Sequence, residues 1–150
     1  MVESEAFDQR LQELLDFSVP VIGVQKLAEA KPGEYLILDT REQEEYDVSH
    51  IPNAVFLGYK KPDWNKLQHV SKEQPIITYC SVGYRSEKLG EDLRKRGFTQ
   101  VFNLYGSIFE WANQGHVLEG TGGQPTQEVH TYNKRWSKWV QEGNGLKKVH

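Results

Sequence analysis

Short apolar runs alternate with amphipathic stretches along most of this chain. Four runs are too short for helices and lack polar alternation, as is typical of strands buried on both faces of a parallel sheet. They lie at residues 35–39, 54–57, 75–80 and 101–104, and a shorter apolar segment at residues 21–24 predicts an edge strand. Helical patterns fill the intervals at residues 27–30, 42–48, 62–70, 87–97 and 108–115. This alternation predicts an α/β fold, with a mainly parallel central sheet of about five strands flanked by helices on both faces.

The pattern changes at the two ends of the chain. Near the start, four apolar side chains recur at helical spacing, namely Phe7, Leu11, Leu14 and Leu15. We expect an amphipathic helix there, N-capped by Ser4 and ended before Pro20. Near the end, a Gly- and Pro-containing linker at residues 121–125 precedes four side chains at helical spacing, Tyr132, Trp136, Trp139 and Val140. The expected organisation is an N-terminal helix over residues 1–18, a main domain over 19–118, and a linker with a basic aromatic C-terminal helix packed on that domain over 119–150.

Composition limits the functional classes. The chain has 150 residues, enough for one domain with a substantial core. No stretch of about 20 apolar residues predicts a membrane span, and the acidic N-terminus lacks a secretory pattern, so we expect a cytoplasmic protein. The net charge of −3 argues against nucleic-acid binding. A single cysteine, Cys80, and five histidines without an i, i+4 pair predict no disulfide, no metal site and no cofactor.

The charge is unevenly spread, because the last 25 residues hold five Lys or Arg side chains and two Glu, against a net negative whole. A basic end on an acidic body is typical of a solvated segment that pairs with its own domain. The alternative is a helix that docks a protein partner, with Lys134, Arg135 and Lys138 opposite the aromatic side chains.

Cys80 stands at the carboxyl end of a predicted strand, where ligands bind in parallel sheets. A loop with one glycine and then a helix follow it, so unpaired backbone N–H groups should form an anion-binding cradle. A cysteine there is a thiolate-stabilised nucleophile. Gly83 would supply a positive φ, Arg85 a permanent charge for an oxyanion, and Ser86 the N-cap of the helix. We expect Cys80 at a pocket floor with several N–H groups of residues 82–86 aimed at its sulfur; the alternative is a small buried apolar residue beside a surface arginine.

Residues 80–86, with the sequence CSVGYRS, resemble the C-x-x-G-x-R-S active-site loop of single-domain rhodaneses. Three further segments agree in order. Residues 39–42 resemble D-[VT]-R-E, residues 49–54 resemble G-H-I-P-G-A, and residues 104–115 resemble L-x-G-G-x-x-x-W-x-x-x-G. The similarity covers about residues 19–118. The chain departs from the pattern at Ser49, Asn53 and Ser107, where the family has glycine, and we expect these departures to affect local turns rather than the Cys80 loop.

The resemblance implies a sulfurtransferase. In that family the loop cysteine takes sulfane sulfur from a donor such as thiosulfate, holds it as a persulfide, and passes it to cyanide or a thiol. The resemblance implies that Cys80 is the nucleophile and that Tyr84 lies at the entrance of the pocket. It also implies that the substrate is bound by the loop residues Ser81, Val82, Gly83, Tyr84, Arg85 and Ser86. Because the chain has no second cysteine, the acceptor must come from outside it.

Three polar residues have either a supporting or a structural role. Asp39 and Arg41 would shape the pocket rim, and His50 would give polar support near it. We favour the structural interpretation, in which Asp39 caps the following turn, Arg41 pairs with a nearby carboxylate such as Glu44 or Glu45, and His50 hydrogen-bonds the backbone of a turn.

Two other functions compete with sulfur transfer. Cysteine phosphatases and arsenate reductases place Cys and Arg on a similar loop, but phosphatases of that group resemble H-C-x5-R. Here Tyr79 precedes Cys80 and the spacing is C-x4-R, one residue short for a phosphate cradle. The second alternative is a non-turnover persulfide carrier, sensor or partner-binding module, which would need the same cysteine.

Overall fold

A five-stranded parallel sheet forms the centre of the molecule. The computed structural model describes residues 2–150. The strands are β1 (Val21–Ile22), β2 (Leu36–Asp39), β3 (Val55–Phe56), β4 (Ile76–Tyr79) and β5 (Val101–Leu104), in the order β1-β5-β4-β2-β3. The helices are α1 (Glu5–Leu14), α2 (Val24–Ala28), α3 (Gln43–Val48), α4 (Tyr84–Lys95) and α5 (Ser107–Asn113). The predicted α/β fold with a parallel sheet of about five strands is confirmed.

Side chains of the central strands alternate between two cores, one on each face of the sheet. Ile77 and Tyr79 of β4 join the core that contains α1, α2 and α5, whereas Ile76 joins the core that contains α4. All four residues of β4 are buried, which explains why its sequence shows no polar alternation. The carboxyl end of β4 is therefore held rigidly, and the next residue is Cys80.

The helix boundaries agree with the predictions only in part. Ser4 caps α1 as predicted, accepting the Phe7 N–H at 3.2 Å. The predicted N-cap role of Ser86 is wrong, because α4 begins at Tyr84 and Gly83, with φ of 127°, takes the cap position. The hydroxyl of Ser86 points inward instead. Residues 62–70 form only a single 3-10 turn, Trp64–Leu67, whose buried residue is Leu67.

The predicted C-terminal helix is wrong. Residues 118–150 contain two small sheets, in which β6 (Leu118–Glu119) pairs with β7 (Pro125–Thr126) and β8 (Glu128–His130) pairs with β9 (Lys147–Val149). They also contain two 3-10 turns, Thr121–Gly123 and Ser137–Trp139. A helix would break at Tyr132, Gly143 and Gly145, which all have positive φ. The segment nevertheless packs on the chain, since Val129 and Val140 are buried. A protein partner for this segment stays a prediction.

None of the helices within residues 2–150 has the length and apolar character needed to cross a bilayer.

Candidate active site

The loop that connects β4 to α4 begins with Cys80. Cys80 is 1% exposed. The Gly83 N–H donates to its Sγ at 3.1 Å, and the Ser86 Oγ lies 3.5 Å from the same sulfur. The structure therefore gives the sulfur one backbone donor and one hydroxyl, where several backbone donors were expected. A negative charge on this sulfur would be stabilised by both groups and by the N-terminal end of α4.

Asn103, on β5, fixes the shape of this loop. Its Nδ2 donates to the Gly83 carbonyl at 3.0 Å, and its Oδ1 accepts from the Ser86 hydroxyl at 2.6 Å. Asn103 is completely buried, so both bonds form out of contact with water. Sequence analysis counted Asn103 only as part of an apolar strand. The signal was there, because an amide inside a buried strand needs polar partners.

Two of the positions where the family has glycine keep the backbone conformation that glycine favours. Asn53 and Ser107 have φ of 70° and 52°. Ser107 compensates the strain with its hydroxyl, which accepts the Cys80 N–H at 3.2 Å and donates to the Leu104 carbonyl at 3.1 Å. The departure at Ser107 thus leaves the turn intact and ties the start of α5 to the Cys80 loop.

Arg85 forms a forked ion pair with Glu45 of α3. Nη1 donates to Oε2 at 2.8 Å and Nη2 to Oε1 at 2.9 Å, while Nη2 also reaches the Ser81 hydroxyl at 3.0 Å. The Arg85 side chain is 13% exposed, so it is not a plain surface arginine. Burial alone would raise the pKa of Glu45, but hydrogen bonds and charge from Arg85 outweigh it and hold that pKa below its ordinary value. Burial would lower the pKa of Arg85, yet Glu45 keeps it raised.

Asp39 and Arg41 form a second buried ion pair, away from Cys80. The Arg41 Nη2 lies 2.7 Å from Asp39 Oδ2 and donates to the Ser49 carbonyl at 2.7 Å. Asp39 caps the following turn as predicted, accepting the Arg41 N–H at 3.0 Å, and it also accepts the Tyr79 hydroxyl at 2.6 Å. Arg41 pairs with a nearby carboxylate as predicted, although that carboxylate is Asp39 and not Glu44 or Glu45. Asp39 and Arg41 are only two residues apart, so their forked ion pair forms within one short segment of the chain.

His50 lies in a turn and contacts backbone. Its Nδ1 is 3.0 Å from the Tyr46 carbonyl, so this nitrogen carries the proton, and its ring stacks on Tyr46 at 3.9 Å. Neither His50 nor the Asp39–Arg41 pair contributes to the cavity that Cys80 lines. The geometry is that of the structural roles favoured from the sequence.

A cavity of about 230 Å³ is lined by Cys80 and its loop, and we call it the Cys80 cavity. Its walls are Leu14, Cys80, Ser81, Val82, Tyr84, Arg85, Tyr132 and Trp136. Tyr84 is 43% exposed, consistent with a position at the entrance. Leu14, Tyr132 and Trp136 were not predicted as cavity residues, because they come from the two ends of the chain and meet the loop only in the fold.

Comparison with known proteins decides the family. The model of the rhodanese-like domain matches residues 24–114, more than half of the chain. The chain belongs to the rhodanese-like family. The resemblance inferred from its four motifs is thereby confirmed. Among curated relatives, thiosulfate sulfurtransferase GlpE of Coxiella burnetii (strain RSA 493 / Nine Mile phase I) is 32% identical over 81 residues, which are 54% of this chain and 75% of that protein.

Longer relatives also match this rhodanese-like chain. The tRNA uridine(34) hydroxylase of Onion yellows phytoplasma (strain OY-M) is 34% identical over 132 residues, 79% of this chain but 43% of that protein. The chain thus spans less than half the length of these relatives. Among solved structures, the BH2092 protein from Bacillus halodurans aligns with a TM-score of 0.62 at 27% identity, covering 79% of this chain and 87% of that one. A rhodanese-like domain protein from Staphylococcus aureus aligns with a TM-score of 0.54 at 30% identity, covering 69% of this chain and 99% of that one.

Proposed function

We propose that this protein is a sulfurtransferase that carries sulfane sulfur as a persulfide on Cys80. The observation that carries the proposal is that Cys80 lines the Cys80 cavity and that the Gly83 N–H donates to its sulfur at 3.1 Å. Membership of the rhodanese-like family and the similarity to a thiosulfate sulfurtransferase support it.

The first half of the reaction loads the cysteine. The Cys80 thiolate attacks the outer sulfur of a donor such as thiosulfate, a new S–S bond forms, and the donor's own S–S bond breaks. The bonding electron pair leaves with sulfite, so the charges balance without an oxidant or a reductant. The Gly83 N–H stabilises the sulfur anion before and after transfer. Among the described residues, the amides of Tyr84, Arg85 and Ser86 in the first turn of α4 donate to no acceptor within the protein, and we assign them to the anionic leaving group.

The Ser86 hydroxyl supports the anion through an exchangeable hydrogen bond. It lies between Cys80 Sγ and Asn103 Oδ1 and has one proton, so it donates to one of them at a time. The structure has it donating to Asn103, and rotation of the O–H bond would redirect the proton to an anionic sulfur.

The second half of the reaction unloads the cysteine. Cyanide or a thiolate attacks the terminal persulfide sulfur, and the electron pair of the broken S–S bond returns to Cys80. The acceptor is external, since Cys80 is the chain's one cysteine. The activity named for the longer tRNA-modifying relatives is not part of this proposal, because most of their length lies outside the match.

Thiocyanate formation from thiosulfate and cyanide tests the proposal. We expect repeated turnover by the unaltered protein and none by Cys80→Ser, with both proteins melting at similar temperatures. A single equivalent of thiocyanate per chain would instead support the non-turnover carrier. Hydrolysis of an aryl phosphate that depended on Cys80 would overturn sulfur transfer in favour of a phosphatase.

A further inference from the structure

Part of the Cys80 cavity is built by segments outside the matched rhodanese-like domain. Leu14 comes from α1, and Tyr132 and Trp136 come from the C-terminal segment, whereas the domain match covers residues 24–114. With Val82 and Tyr84 from the loop, these side chains form an apolar and largely aromatic wall of the cavity. A surface of this kind recognises flat or apolar groups.

Contacts of the residues that follow Trp136 in sequence hold this wall in place. Trp139, three residues after Trp136, stacks on Phe7 of α1 with ring centroids 5.4 Å apart. Asn113 of α5 clamps the same stretch, donating to the Trp139 carbonyl at 2.9 Å and accepting the Gln141 N–H at 2.8 Å. Trp136 is thus presented on a preformed support, which reduces the entropy lost when a ligand binds.

The second aromatic residue of this wall is fixed by the active-site loop itself. The Tyr132 ring lies 4.9 Å from the Arg85 guanidinium, and the Tyr132 N–H donates to His130 Nδ1 at 3.0 Å. Tyr132 is nevertheless 49% exposed, so a ligand has access to this residue.

The charge balance of the cavity does not favour a small dianion. Arg85 is the one cationic side chain among the lining residues, and Glu45 pairs with it through two hydrogen bonds of 2.8 and 2.9 Å. The volume is also larger than inorganic thiosulfate needs. An apolar cavity of about 150 Å³ holds a benzene molecule, and the Cys80 cavity measures about 230 Å³.

We propose that the sulfane-sulfur donor of this protein is an organic molecule whose aromatic or apolar group lies against Trp136 and Tyr132. This inference rests on the proposed sulfurtransferase function and names its substrate class: organic thiosulfonates and organic persulfides in preference to thiosulfate. For a thiosulfonate, the Cys80 thiolate attacks the sulfane sulfur and the sulfur–sulfonyl bond breaks. The electron pair leaves on an organic sulfinate, and the Cys80 persulfide remains.

Two donors that deliver the same sulfur test the proposal. Benzenethiosulfonate and methanethiosulfonate differ only in the group attached to the sulfonyl sulfur. We would measure kcat/KM for each, with cyanide as acceptor, in the unaltered protein, Trp136→Leu and Trp64→Leu. The intrinsic reactivity of each donor cancels when the benzene-to-methane ratio is compared between proteins.

Trp64 provides a matched control, because it is also partly buried beneath an arginine. The Arg96 guanidinium lies 3.8 Å from the ring centroid of Trp64, and the Arg10 guanidinium lies 5.4 Å from the ring centroid of Trp136. Trp64 does not line the Cys80 cavity. We expect the ratio to fall roughly tenfold in Trp136→Leu and to stay unchanged in Trp64→Leu.

Each outcome bears on a different claim. An equal ratio in the unaltered protein and Trp136→Leu, or a higher kcat/KM for thiosulfate than for benzenethiosulfonate, would overturn the substrate class. Failure of every donor to place sulfur on Cys80 would overturn the proposed function itself. If Trp136→Leu does not fold, Tyr132→Asn serves as the second variant, because asparagine tolerates the positive φ of 71° at this position. The same fall in ratio is expected there.

Discussion

Replacing Glu45 by glutamine removes the charge that faces Arg85 while keeping nearly the same shape. The wild-type carboxylate accepts two hydrogen bonds from the guanidinium, at 2.8 and 2.9 Å, and a third from the Glu42 N–H at 2.9 Å. Glu45 is 2% exposed, so the substitution leaves Arg85 paired with a neutral group at a site with little access to water. We expect a loss of stability.

The structure sets the size of this loss. Breaking a buried ion pair costs about 3–5 kcal/mol, and a hydrogen bond to a charged group contributes about 1.5–3 kcal/mol. Because the Arg85 side chain is 13% exposed and the glutamine oxygen still accepts one hydrogen bond, the expected loss in the free energy of unfolding is about 2–3 kcal/mol. For a chain of this size, that is a fall of roughly 5–10 °C in Tm.

Urea denaturation of the unaltered protein and of Glu45→Gln across a range of pH measures this loss. The folded-state pKa of Glu45 lies below its ordinary value of 4.5, so the folded state binds its proton less readily than the unfolded state. The stabilisation is therefore fully present above pH 4.5 and is lost as the pH falls through the lowered pKa. The two proteins should converge in stability at acid pH. The same substitution should raise kcat/KM for thiosulfate relative to methanethiosulfonate, because the freed Arg85 charge attracts the dianion.

Glu44→Gln is the control, since it removes the same charge from an exposed neighbouring position on α3. It should change the free energy of unfolding by less than about 0.5 kcal/mol. An equal loss in the two variants, or a loss in Glu45→Gln that persists undiminished at acid pH, would refute the importance of the Arg85–Glu45 pair.

Three further predictions test other contacts. Gly83→Ala should lower the free energy of unfolding by about 1–3 kcal/mol and slow persulfide formation, because φ at this position is 127°. Gly23→Ala should have little effect, because Gly23 has an ordinary φ and open space around it. Equal rates of thiocyanate formation in the two variants would contradict this prediction. Trp139→Ala should lower the free energy of unfolding by about 2 kcal/mol, because its ring stacks on Phe7; an unchanged urea midpoint would mean that the C-terminal segment does not belong to the cooperative fold. Burial lowers the pKa of His130 below 6.5, so the protonation of this residue should not affect stability above pH 6.5, and stability should decline as the pH falls through the lowered pKa. His130→Asn should weaken that decline when Tm is measured against pH. An identical decline in the variant would mean that other groups cause it.

Much of the fold was predictable because its main signals are local. A strand buried on both faces, such as β4, shows an unbroken apolar run, and the Cys80 loop lies in one contiguous segment. The carboxyl-end rule for parallel sheets then identified the candidate site, and four motifs in order predicted the family.

The errors and omissions arose where tertiary contacts decide. Trp136 and Trp139 have helical spacing, yet Tyr132 adopts a positive φ and the segment folds round α1 instead of forming a helix. The Arg85–Glu45 pair joins residues 40 positions apart, and only the fold shows that the loop's positive charge has a partner. Asn103 was missed because its partners lie on the loop rather than on its own strand.

The central claim is that Cys80 carries sulfane sulfur, and intact mass spectrometry after incubation with a sulfane-sulfur donor tests it most directly. Thiosulfate and benzenethiosulfonate would each be tried with the unaltered protein and with Cys80→Ser. We predict a gain of one sulfur atom that is absent from Cys80→Ser and is removed by cyanide. No gain with either donor, or an equal gain in Cys80→Ser, would contradict the claim.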